Sequence, residues 1–65
     1  MTAERYEVHE GPDAVRVWQD GEEVAQAVRT SSGVYYATKT GGVWCGYEHE
    51  RVTLGTWAAR WRDAR

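Results

Sequence analysis

Four turn signals break residues 11–42 into short pieces, and their spacing constrains the fold more than any other feature of the chain. They are Gly11-Pro12-Asp13, Asp20-Gly21, Thr30-Ser31-Ser32-Gly33 and Lys39-Thr40-Gly41-Gly42. Proline lacks a backbone donor and glycine tolerates positive φ, so each signal interrupts regular structure. The flanking pieces are strand-like. Arg5-Tyr6-Glu7-Val8-His9 places Tyr6 and Val8 on one face, and Val15-Arg16-Val17-Trp18 resumes the period of two. Val34-Tyr35-Tyr36-Ala37-Thr38 is the run richest in β-formers, and Val43-Trp44-Cys45-Gly46-Tyr47 follows it. Short strands separated by turns at regular intervals describe an antiparallel meander.

Asp20-Gly21 is the most informative of the turns. An Asp-Gly pair between apolar runs favours a type I′ hairpin, which needs positive φ at both central residues. A two-residue loop there pairs Gln19 with Glu22 and predicts Val17 opposite Val24, with Arg16 opposite Ala25. Residues 22–30 also fit a second pattern. Asp20 and Glu23 have capping-box spacing, and Val24, Ala25, Ala27 and Val28 fall at helical intervals. The turn favours a strand, and a helix is the alternative.

From Thr53 the period changes. Leu54, Trp57, Ala58, Trp61 and Arg65 lie on one helical stripe, with Thr53 placed to cap it. Arg60, Arg62 and Arg65 fall in the later turns, where cations complement the helix dipole. The predicted fold class is therefore α+β: a four- to five-stranded antiparallel β-meander packed against one C-terminal amphipathic helix. The 65 residues make a single small α+β domain spanning 1–65.

A chain this short buries only about 60% of its unfolded surface, so something must compensate for a thin core. Cys45 is the single cysteine, which rules out an internal disulfide and points to a reducing, cytoplasmic setting. Four Trp and four Tyr, with no Phe, are the compensation the composition offers. Homodimerisation is another route to added burial. No apolar run approaches the roughly 20 residues of a membrane span, and the start has no apolar signal-peptide region. No membrane partner is expected.

No constellation of catalytic residues stands out. Cys45, His49 and His9 lack the paired spacing of a zinc site. In extended backbone, Glu48, His49 and Glu50 point to alternate faces and read as a solvated connection into the helix. Trp44 and Tyr47 beside Cys45 predict a buried, inert thiol. Ser31 and Ser32 sit in a turn with no evident partner, and Gly41-Gly42 is a hairpin turn rather than a phosphate loop. No enzyme activity, metal or cofactor is expected.

The net charge of -2 is unevenly spread. Residues 1–28 carry seven acids against Arg5 and Arg16, a net -5; residues 29–65 carry six bases against three acids, a net +3. Nucleic-acid binders usually carry a basic excess to displace counterions from phosphates. Gly33-Val34-Tyr35-Tyr36-Ala37, Gly42-Val43-Trp44-Cys45-Gly46-Tyr47 and the helix from Thr53 resemble the three-stranded-sheet-plus-helix domains of the AP2 and phage-integrase amino-terminal class. That resemblance implies DNA reading by a basic sheet face, which the acidic amino-terminal strands oppose.

The aromatic content gives the functional expectation. Trp18, Tyr35, Tyr36, Trp44, Tyr47, Trp57 and Trp61 exceed what one small core can hide. If Leu54, Trp57 and Trp61 cover one sheet face, the helix-free face keeps Arg16, Trp18, Tyr35 and Trp44, residue types enriched at interface hot spots. The sequence thus predicts a non-enzymatic protein-interaction module that binds another protein through these four residues. One concrete form is a small phage-type accessory protein, an anti-CRISPR-like inhibitor of a host complex; the arginine-rich, Asn-free composition fits a high-GC genome. The alternative is nucleic-acid binding by Lys39, Arg51, Arg60, Arg62 and Arg65.

Overall fold

A computed structural model describes residues 6–64. Five strands, β1 (Glu7–Glu10), β2 (Ala14–Gln19), β3 (Glu22–Thr30), β4 (Gly33–Thr40) and β5 (Val43–Glu50), precede one helix, α1 (Leu54–Asp63). The strands form one antiparallel sheet in the order β1-β2-β3-β4-β5. The chain is thus an α+β meander with its helix packed on the sheet, and its five strands depart from the three-stranded sheet that the AP2-like resemblance implied.

Local chemistry sets most of these elements. Asp20 and Gly21 have φ of 55° and 80°, the paired positive angles of the type I′ turn, and Gln19 pairs with Glu22 as the turn demands. Residues 22–30 are therefore strand. The Thr53 hydroxyl accepts a hydrogen bond from the Thr56 amide at 3.1 Å, capping α1. Gly33 marks a close approach of two backbones. A Cβ there would lie 2.1 Å from the Glu50 carbonyl oxygen, and its φ of 143° disfavours any L side chain.

Two irregularities correct the simple register. Val17 pairs with Ala25 rather than Val24, and Arg16 with Gln26 rather than Ala25, because a bulge inserts Val24 between the Val17–Ala25 and Trp18–Glu23 pairs. The shift puts the small side chains of Ala25 and Ala27 beneath the helix, opposite Val17 and Val15. A second bulge lies across β4 and β5, where Gly46 and Tyr47 stand opposite Ala37 between the Tyr36–Glu48 and Thr38–Cys45 pairs. Glu48, His49 and Glu50 belong to β5 and are not a connection to the helix.

The helix backbone packs over β1, β2, β3 and β4, and reaches the end of β5 through an Arg60–Glu50 ion pair at 2.8 Å. Trp57 and Ala58 are buried against Val15, Val17, Ala25, Ala27 and Val34. Tyr36 tilts against Trp57 with ring centroids 5.7 Å apart, Trp61 lies 5.9 Å from Trp57, and Tyr6 meets Trp61 edge-on at 4.8 Å. Such ring pairs contribute about 0.5–1.5 kcal/mol each beyond area burial. The core is nonetheless thin: its largest fully buried side chains are the valines Val15, Val17 and Val34.

Candidate functional site

The face of the sheet opposite α1 follows from alternation along the strands. Arg16 lies between Val15 and Val17, both buried under the helix, and so projects the other way, followed by Trp18. Tyr35 lies between core-facing Val34 and Tyr36 and likewise emerges on the far side. Trp44 pairs with Lys39 on that side. All four residues predicted as protein-binding anchors thus stand on the helix-free face.

They form separate clusters on it. Trp18 meets the His9 ring edge-on at 6.2 Å, while Arg16 is 3.8 Å from Glu23. The Lys39 ammonium sits 5.4 Å from the centre of the Trp44 ring and 3.8 Å from Glu22. Tyr35 stacks on Tyr47, with centroids 6.2 Å apart and planes inclined by 22°. Together with Gln26, Val28 and Ala37 these two rings line a shallow depression. Ala37 is buried outside the main core cluster, whereas Val28, Tyr35 and Tyr47 remain 44%, 45% and 57% exposed.

Tyr47 is one of the surplus rings but not one of the four predicted anchors. In a regular strand, residues 44 and 47 point to opposite faces, so choosing Trp44 excludes Tyr47. The bulge, with Gly46 at φ 64°, restores both to one face. Gly46, a glycine inside an otherwise β-rich run, is the signal that could have located the irregularity.

The expectation of a buried Cys45 is overturned: its thiol is exposed. Cys45 pairs with Thr38 on the helix side of the sheet, but the helix backbone lies over β1 to β4 and leaves β5 uncovered. Ser32, read as partnerless, has its hydroxyl 3.3 Å from His49 Nε2, and the Thr30 hydroxyl lies 3.2 Å from the same nitrogen. His9 and Cys45 belong to strands at opposite edges of the sheet, about 19 Å apart at the usual strand spacing. His49, paired with Tyr35, projects away from Cys45. These three side chains do not converge.

The cations of the nucleic-acid alternative are dispersed. Arg60 pairs with Glu50, Arg62 with Glu10, and Lys39 with Glu22 on the other side of the sheet. Arg51 is exposed just beyond β5, and Arg65 lies outside the described residues. The Tyr36 hydroxyl donates to Glu48 at 3.0 Å, and this hydrogen bond, with burial and the nearby carboxylates, holds the phenol above its ordinary pKa.

Among the described residues, no helix is long and apolar enough to cross a membrane, and no group of three or more His, Cys, Asp or Glu is placed to hold a metal ion. Comparison with known proteins yields no matching family model, no matching curated protein and no matching solved structure.

Proposed function

We propose that the chain is a non-enzymatic interaction module that binds protein through the helix-free face of its sheet. One observation carries this reading: Trp18, Tyr35, Trp44 and Tyr47 stand on the face that the helix leaves open, and Tyr35 and Tyr47 are about half exposed. Tyr and Trp supply large, rigid contact area at low entropic cost, which is why they dominate interface hot spots. Arg16 and the rim charges set orientation, and the Tyr35–Tyr47 depression receives an apolar group.

Nucleic-acid binding is the weaker reading, because Lys39, Arg60 and Arg62 each face a carboxylate of the same chain. A photo-reactive residue in place of Tyr35 tests the choice of face, with one in place of Arg51 as control. Position 35 should yield a discrete protein adduct and position 51 none. An adduct at 51 alone, or a nucleic-acid adduct that disappears steeply with salt, would overturn the reading.

A further inference from the structure

We infer that the occupant of this face is a second copy of the same chain, packed sheet against sheet about a two-fold axis. The inference rests on the helix-free face being an interaction surface and adds the identity of the partner. Three observations carry it.

The first is the deficit in the monomer. Valines are the largest fully buried side chains, and the helix adds only Trp57 and Ala58 to the buried set. Small domains without disulfides or metals commonly make up such a deficit by association. Packing two helix-free faces together would sandwich a second apolar layer between the sheets, about 10 Å apart, with a helix on each outer side.

The second is area. Five strands at about 4.8 Å spacing and some seven residues at about 3.3 Å give a sheet of roughly 550 Å² in plan. Rings standing on that plane add accessible surface, which brings it near the ~800 Å² that each partner contributes to a standard interface. The free edge of β5, about 10 Å thick, offers less than half of that plan area.

The third is charge. Arg16 faces Glu23 at 3.8 Å and Lys39 faces Glu22 at 3.8 Å, both within the chain. An isologous interface places a surface against its own copy, so an unbalanced patch would repel itself. These two pairs neutralise most of the charge around the face, and the Val28–Tyr35–Tyr47 region beside them is largely apolar. A partner of strongly opposite charge would find little to read there.

Sedimentation equilibrium of the full chain from micromolar to sub-millimolar concentration tests the inference. The expected result is a reversible approach to twice the 7.4 kDa monomer mass. Tyr47→Arg and Val28→Arg, with circular dichroism confirming that each is folded, should weaken the dimer by roughly thirtyfold or more, the size of a hot-spot loss. Two variants guard against one that fails to fold. A wild-type chain that stays monomeric throughout overturns the dimer, while the adduct at position 35 still decides separately whether the face binds protein. A dimer insensitive to both substitutions also overturns it, and places the contact elsewhere, such as the exposed β5 edge.

Discussion

The two faces of the sheet are built from the same strands yet hold opposite kinds of aromatic residue. On the helix side Tyr36, Trp57, Trp61 and Tyr6 interlock ring against ring, and Trp57 is buried. On the open side Tyr35 and Tyr47 stack on each other, Trp44 meets Lys39, and Trp18 meets His9. Adjacent residues divide between the faces: Tyr36 packs into the core and Tyr35 stands in solvent. Residue type alone therefore says little about the role of a ring here. What decides is which side of the pleat it occupies.

Substitution can break this contrast, and the largest effect should come from the covered side. Trp57→Ala should cost about 3–5 kcal/mol, enough to unfold a domain of this size, as read by urea denaturation. Trp61→Ala, at a partly exposed position, should cost about 2 kcal/mol in the same assay. A loss equal to that of Trp57 would extend the buried region further along the helix than its exposure indicates. Thr53→Ala should remove about 1 kcal/mol by uncapping α1.

On the open side the balance reverses. Trp18→Ala and Tyr47→Ala should each change the stability of the monomer by about 1 kcal/mol or less, yet abolish capture of the partner in crosslinking. If Trp18→Ala unfolds the chain instead, the ring belongs to the core and the two faces are not distinct in the way described.

The smallest effect should come from Tyr36, where the covered face meets β5. Its pKa is raised in the folded chain, so its contribution is whole while the phenol stays neutral in both states. That contribution falls as pH rises past the ordinary phenol range of about 10 and through the higher folded value. Tyr36→Phe should therefore flatten the alkaline edge of the stability–pH curve and lower stability at neutral pH by the small contribution of that hydrogen bond. An unchanged alkaline edge would show that the hydrogen bond to Glu48 does not couple titration to folding.

Much of the architecture was legible because it is written locally. The Asp20-Gly21 turn, the Thr53 cap and the helical stripe through Trp57 and Trp61 each depend on a few neighbouring residues, and each is found as read. The helix-free placement of Arg16, Trp18, Tyr35 and Trp44 followed from the period of two once the helix was assigned to one side. The Val17–Ala25 register, the exposure of Cys45 and the Ser32–His49 contact were not legible. All three depend on where distant segments come to rest.

From the amino-acid order alone came the strands, the turns, the helix and the excess of rings, since backbone preference and side-chain period are properties of short stretches. Tertiary structure decided that two bulges shift the pairing, that the helix backbone lies over four strands and leaves the fifth uncovered, and that Tyr47 joins Trp44 on the open side. The physical reason is that a bulge persists only when packing across the sheet favours the shifted register. That balance is struck between residues far apart in the chain, and apart from Gly46 the strands' own residues do not reveal it.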